Sequence, residues 1–204
     1  MLSLQVVTTF FGLAVVLSLA PGPDNLFVLA QSMAHGARSG LWVVLGLCSG
    51  LVVHTLAVAL GLAALMAASP WALRLVQTLG AAYLLYLAWG AWRAGASRPG
   101  QAVAQTGIRL WRRGLFMNVT NPKVVLFFLA LLPQFVKPDA DPAGQIMALG
   151  AVFMVAALLV FGSISFFAGY LGDALRRHGN AQQWLNRASA GVFVALAVRL
   201  LMPL

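Results

Sequence analysis

Two apolar stretches of the chain are each interrupted by proline, and each interruption carries one charged residue. The first interruption is the segment Pro21–Asp24 (PGPD), and the second is Asn121–Lys123 (NPK). Proline removes a backbone hydrogen-bond donor and collides with the preceding helical turn, so a helix that meets it ends or bends. In a lipid bilayer no water replaces the lost hydrogen bond, so such a break has to line a cavity or pack inside protein. The interruptions therefore predict two broken helices with inward-facing ends.

Composition places these breaks in a membrane protein. The chain is 61% hydrophobic and 8% charged, whereas soluble domains carry about 25% charged residues. A membrane-spanning helix needs about 20 apolar residues. The six stretches that meet this requirement are Leu4 to Met33, Leu41 to Ala67, Trp71 to Trp92, Gly114 to Phe135, Ile146 to Leu171 and Trp184 to Leu200. No polar segment is long enough for a second domain, so residues 1–204 form a single membrane domain.

Positive charges are distributed unevenly between the connecting loops. One set of alternate loops holds nine Lys and Arg residues, against three on the opposite side. Because cytoplasmic loops are enriched in Lys and Arg, both chain termini are predicted to face outside. The two halves, about 1–100 and about 101–204, then have opposite orientations. The expected fold is all-α, with six transmembrane helices forming two inverted three-helix repeats in which helices 1 and 4 are broken.

Asp24 and Lys123 are the charges that the interruptions place inside apolar sequence. Intramembrane ionisable residues mark function by default, although Asp24 also suits the first turn of a restarted helix as a simple cap. Lys123 opposes the dipole of its own helix start. It would also lie ~13 Å into its span at a rise of 1.5 Å per residue, and it therefore needs a negative partner. We expect Asp24 and Lys123 to meet, or to hold the two ends of one zwitterion.

Neighbouring polar residues complete a candidate substrate site. Restarted helices direct free backbone N–H groups at a carboxylate, which Lys123 would strengthen, while Asp24 and unwound carbonyl groups suit an ammonium group. The candidate binding residues are Asp24, Asn25, Asn118, Thr120, Asn121 and Lys123, and the helix-break residues are Pro21, Gly22, Pro23 and Pro122. Helix capping is the alternative role for Asn25 and Asn121, and repair of broken backbone groups is the alternative for Thr120. The ligand that fits is a small zwitterion such as an amino acid.

Asp24 and His54 are also candidates for a proton relay, because both lie inside predicted spans and both can change protonation state. For His54 the alternative is a packed, neutral ring. The sequence contains no cofactor motif, no metal-ligand set and no nucleophile paired with a base, so we expect no cofactor, no bound metal and no enzyme activity.

The net charge and the small residues of the chain bear on two further partners, nucleic acid and a second copy of the chain. The net charge of +9 is spread over short loops, which indicates topology rather than nucleic-acid binding. The small-residue segment Gly46–Gly50 suits helix contacts within one chain or between chains equally well, which leaves a homo-oligomer open. The expected partners are therefore the lipid bilayer, a small zwitterionic substrate and protons.

Four segments together resemble the LysE/RhtB family of amino-acid exporters, over nearly the whole chain. They are the PGPD segment, the glycines Gly40 and Gly46, the segment Gly80–Leu84 (GAAYL) and the segment Asn118–Lys123 (NVTNPK). The resemblance implies export of amino acids or their derivatives across the bacterial inner membrane, in exchange for protons. It also implies that the family's role is carried here by Pro21, Pro23, Asp24, Asn121, Pro122 and Lys123.

Two other functions compete with export of amino acids. A metal-ion exporter on a related fold would need His, Cys or clustered carboxylates, and the chain offers His35, His54 and His178 without an acid cluster. A non-transporting membrane scaffold would leave Asp24 and Lys123 without an explanation.

Overall fold

A computed structural model gives the fold of the chain and describes residues 2–68, 70–94, 103–137, 140–168, 170 and 181–202. Regular secondary structure within these ranges is helical. The α-helices are α1 Leu4–Leu19, α2 Pro23–His35, α3 Ala37–Ala68, α4 Pro70–Arg93, α5 Gly107–Thr120, α6 Pro122–Leu126, α7 Pro142–Phe166 and α8 Ala181–Leu201. After α6 the chain continues as a π-helix, Phe127–Leu131, and then as a 3-10 helix, Leu132–Phe135.

The described helices supply three to five membrane spans. Three single helices are long and apolar enough to cross a membrane: α3, α7 and α8. Two bent pairs pass the same test together: α1 with α2, bent by 64°, and α5 with the segment Pro122–Phe135, bent by 50°. The third predicted span, α4, is not among the candidates found in the described residues. Six spans in two inverted repeats stay a prediction.

Both predicted interruptions coincide with helix breaks, whereas the predicted helix ends need correction. Pro23 and Pro122 each occupy the first turn of the restarted helix, where the missing N–H would be unpaired in any case. Five helices begin earlier than the apolar stretches: α3 before Leu41, α4 before Trp71, α5 before Gly114, α7 before Ile146 and α8 before Trp184. Hydropathy locates the apolar core of a helix, but the helix itself extends to its polar cap.

The end of the fifth predicted span, Leu171, and the loop residues Arg98, Arg176 and Arg177 lie outside the described residues.

Helix α3 lies at the centre of the described packing, in contact with α2, α5 and α7, while α1 packs on α7 and α4 on α8. Glycine permits the close approach of α3 and α5. A Cβ atom at Gly46 would collide with the Trp111 carbonyl, and one at Gly114 would collide with the Val43 carbonyl. Small residues at helix contacts are typical of membrane bundles, whose helices gain stability from close packing rather than from exclusion of water.

The described surface exposes large apolar side chains, while two charged side chains are buried within the hydrophobic core. Large hydrophobic side chains such as Leu60, Trp71 and Tyr86 are strongly exposed, whereas Asp24 and Lys123 are 2% and 6% exposed. An apolar outer surface suits lipid. Polar groups enclosed by it have to be hydrogen-bonded or they destabilise the fold.

Candidate functional site

The end of α1 presents carbonyl groups to the first break. The last carbonyls of a helix have no donor within the helix. Here the carbonyls of Leu17 and Ala20 each accept a hydrogen bond from Lys123 Nζ at 3.1 Å. The Ser18 carbonyl accepts one from Asn25 Nδ2 at 2.7 Å. Side chains of α2 and of the second half of the chain therefore cap α1.

The second break is organised by one amide side chain. Asn121 is the N-cap of α6, and its Oδ1 accepts a hydrogen bond from the Lys123 backbone N–H at 3.1 Å. With this oxygen engaged, Nδ2 points the other way and donates to Asp24 Oδ2 at 2.7 Å. Asn121 thus links the start of α6, where the second broken helix begins again, to Asp24 in the first broken helix.

Asn121 lies between Asp24 and Lys123 and forms hydrogen bonds with both residues. The Lys123 ammonium donates to the α1 carbonyls, and the Asp24 carboxylate accepts from Asn121. The two charges interact through space rather than through a hydrogen bond that links them directly. Because both are buried, each depends on the other, and removal of one would leave an uncompensated charge in a low-dielectric environment.

Three buried oxygen atoms around the first break have no hydrogen-bond partner among the described atoms: Ser18 Oγ, Asp24 Oδ1 and Asn25 Oδ1. Their side chains are 3%, 2% and 9% exposed, respectively. A buried polar atom without a partner costs about 1–3 kcal/mol, and native proteins keep few of them. All three oxygens can accept hydrogen bonds, so the site suits a ligand that donates several.

Gly22 is the helix-break residue that lies beside the Lys123 side chain. Gly22 is the N-cap of α2 in an extended conformation, and a Cβ atom there would lie 3.5 Å from Lys123 Nζ. Pro21 is partly buried beside it, while Pro122 is exposed.

Among the described residues, the remaining predicted site residues, Asn118, Thr120 and His54, make no hydrogen bond with Asp24 or Lys123. Asn118 is 2% exposed, and its carbonyl lies 3.2 Å from His54 Nε2. The His54 ring packs against Phe128 at a centroid distance of 5.5 Å. Thr120 is exposed, and its hydroxyl donates to the Phe116 carbonyl of its own helix at 2.8 Å. The structure therefore groups His54 with Asn118 at the α3–α5 contact and directs Thr120 away from the site.

Sequence analysis missed Ser18, Gln31 and the backbone of α1. Ser18 and Gln31 are polar residues inside an apolar stretch, and Gln31 follows Asp24 by seven residues, which places both on one face of α2. Gln31 is 1% exposed and donates to the Val103 carbonyl at 3.4 Å. Ser18 and Gln31 could have been found from the sequence as polar residues inside an apolar stretch. The carbonyls that bind Lys123 could not, because every residue has one.

Sequence comparison with known proteins identifies a family for this chain. The family model "LysE type translocator" matches residues 15–203. The homoserine/homoserine lactone efflux protein of Salmonella typhimurium is 32% identical over 187 residues, covering 91% of this chain and 90% of that protein. An uncharacterized membrane protein of Vibrio cholerae is 32% identical over 189 residues, covering 92% of each chain.

A third relative covers less of the chain. The leucine efflux protein of Salmonella typhimurium is 32% identical over 134 residues, covering 64% of this chain and 63% of that protein. No solved structure matches the chain significantly. The family model nevertheless spans nearly the whole sequence, including both helix breaks and the residues that join them. The chain therefore belongs to the LysE type translocator family.

Proposed function

We propose that the protein is a secondary transporter that exports amino acids or amino-acid derivatives across the bacterial inner membrane. The observation that carries the proposal is the pair of buried charges at the two helix breaks, Asp24 and Lys123, together with the buried, unpartnered oxygens of Ser18, Asp24 and Asn25. Matched breaks in the two halves of a membrane protein are typical of transporter binding sites. The names of the relatives, efflux proteins for homoserine, its lactone and leucine, support the same class of substrate.

The site supports recognition of both ends of an amino acid. The ammonium group would donate to the unpartnered oxygens of Ser18, Asp24 and Asn25, and the carboxylate would pair with Lys123. Asp24 is also the candidate for carrying the coupling proton in a proton antiport, because it is the acid that would contact the substrate. His54 stays a second candidate for proton movement, although it contacts the Asn118 carbonyl rather than Asp24.

The packing supports two inverted repeats that move against each other. If the two halves are repeats, α1 corresponds to α5, α3 corresponds to α7 and α4 corresponds to α8. The contact of α1 and α2 with α7 then has its counterpart in the contact of α5 with α3, and the α3–α7 and α4–α8 contacts each join a helix to its own counterpart. Such a pattern suits six spans in two three-helix repeats, with α4 as the third span. Alternating access would follow from rocking of one repeat around a fixed site.

Counterflow in proteoliposomes tests the class, the substrate and the coupling together. Vesicles that contain the purified protein are loaded with one unlabelled amino acid at a time, and uptake of the labelled form is followed. At least one amino acid should accelerate uptake, and a proton gradient directed into the vesicles should accelerate efflux of the same substrate. Absence of counterflow with every amino acid and lactone, from correctly inserted protein, would contradict the proposal. A metal-tolerance phenotype in that case would favour the metal-ion exporter.

A further inference from the structure

We propose that the Lys123 ammonium occupies the position that the substrate's ammonium group takes when the substrate binds. A zwitterionic substrate then displaces the Lys123 ammonium from this position, and Lys123 pairs with the substrate's carboxylate instead. The inference rests on the proposed function and adds a rule for what the site selects. A molecule has to carry both an ammonium group and a carboxylate in order to bind well.

The first step of the argument is the position of the Lys123 ammonium. It lies at the C-terminal end of α1 and donates hydrogen bonds to the carbonyls of Leu17 and Ala20, each at 3.1 Å. The C-terminal end of a helix carries partial negative charge and attracts cations. Lys123 therefore binds the α1 end in the manner of any small primary ammonium group.

The second step is the number of acceptors at this end of α1. Besides the two carbonyls that Lys123 uses, Ser18 Oγ, Asp24 Oδ1 and Asn25 Oδ1 are buried there without a donor. An ammonium group has three N–H donors and no acceptor. The α1 end thus offers more acceptors than Lys123 satisfies, and an incoming ammonium group has partners as soon as it enters.

The third step is the fate of the displaced side chain. Lysine carries its charge on a flexible four-carbon stem, so the ammonium can leave the carbonyls while the backbone of α6 stays capped by Asn121. A buried cation without a partner is strongly unfavourable. The carboxylate of a zwitterion supplies that partner, and the charge of the site is then balanced both before and after binding.

Ligands with one charge fail for opposite reasons. An amine without a carboxylate can replace Lys123 at the carbonyls, but it leaves two buried cations beside the single carboxylate of Asp24. A carboxylate without an amine can pair with Lys123, but it leaves the α1 carbonyls and the oxygens of Asp24 and Asn25 without donors. The alternative is that Lys123 is a permanent structural cap of α1, which predicts no such selectivity.

A ligand series separates these two roles. The probes are the amino acid identified by counterflow, its methyl ester and its N-acetyl derivative, and binding is measured by thermal stabilisation of the purified protein. We expect the wild type to bind the amino acid about tenfold or more tightly than the ester, since a charged hydrogen-bonded pair is lost with the ester. In K123M this advantage should vanish or reverse, because the carbonyls are vacant and the carboxylate has no partner.

The chain provides a matched control for this variant. Its two lysines are Lys123 and Lys137, and Lys137 is exposed. K137M should keep the wild-type order of the three ligands. An unchanged advantage of the amino acid over its ester in K123M would overturn the inference.

A measurement on the wild type covers the case in which K123M does not fold. Labelling with ¹⁵N-lysine gives two side-chain Nζ signals, and K137M identifies which belongs to Lys123. Saturation with the amino acid should shift the Lys123 signal and leave the Lys137 signal in place. A Lys123 signal that does not move at saturation would overturn the inference while export itself stands. If no amino acid is transported at all, the proposed function itself fails. That outcome is distinct from failure of the inference about Lys123, in which transport occurs but the Lys123 signal does not move.

Discussion

At the scale of single residues, Asn121 has the most demanding role in the site. Its two amide atoms differ chemically, and each is used: the oxygen caps α6 through the Lys123 backbone N–H, and the nitrogen donates to Asp24. A side chain that can only accept hydrogen bonds preserves the cap and loses the contact with Asp24. Capping and the link between the breaks can therefore be separated by substitution.

N121D and N121S separate these two roles. Asp and Ser are both good N-cap residues, so the start of α6 should survive in each. Asp would place a second carboxylate beside Asp24, and like charges at such a distance repel strongly in a buried site. We expect counterflow per inserted protein to fall in the order wild type, N121S, N121D. Activity of N121D equal to or above that of N121S would show that the Asn121–Asp24 contact does not matter.

At the scale of elements, the second break is longer than proline alone explains. The chain is α-helical over Pro122–Leu126, π-helical over Phe127–Leu131 and 3-10 helical over Leu132–Phe135. A wide π-helical turn followed directly by a narrow 3-10 turn is uncommon, and π-helical turns occur frequently at functional sites. The rings of Phe10, Phe127 and Phe153 contact one another around this segment and join it to α1 and α7. The position of Lys123 thus depends on a short helical turn held by aromatic packing.

The contact between α3 and α5 gives a prediction about stability. In G46A the new methyl group would meet the Trp111 carbonyl and lie 2.8 Å from the Leu115 nitrogen, and these backbone atoms cannot rotate away. Overpacking of this kind costs about 1–3 kcal/mol. We expect a lower melting temperature for G46A in detergent.

Gly162 in α7 is the matched control, because nothing lies within 4 Å of a Cβ atom built there. G162A should melt at or above the wild-type temperature, since alanine favours a helix by up to about 1 kcal/mol over glycine. Equal melting temperatures for G46A and G162A would mean that the α3–α5 contact is looser than described.

At the scale of the whole molecule, the proposed topology is testable with reporters. Six spans and the loop charges place both termini outside the cytoplasm. Alkaline phosphatase fused to the C-terminus should therefore be active and green fluorescent protein fused there should be dark. The opposite pattern would place the C-terminus in the cytoplasm, which requires either the reverse orientation of all six spans or an odd number of spans, as in a protein whose α4 does not cross the membrane.

Sequence alone predicts the breaks and the charges well, because proline and intramembrane charge leave few structural options. Pro23, Pro122 and Asn121 take the positions in restarted helices that their chemistry favours. The partner of Lys123 was only partly predictable: Asp24 is near, but the ammonium binds backbone carbonyls that carry no sequence signal. The π-helical and 3-10 turns were also missed, because an apolar run such as Phe127–Leu131 has the same pattern in any helix type.

The central claim is that the two breaks form one substrate site in which Asp24 is indispensable. The most direct test is the rate of amino-acid counterflow for D24N beside D141N, which makes the same chemical change at an exposed acid that caps α7. Asn caps a helix as well as Asp does, so D141N should transport like the wild type. D24N should lose about 100-fold or more, because it leaves Lys123 as a buried, uncompensated cation and removes a partner of the substrate's ammonium group. Wild-type counterflow by D24N, at equal amounts of protein in the vesicles, would contradict the account.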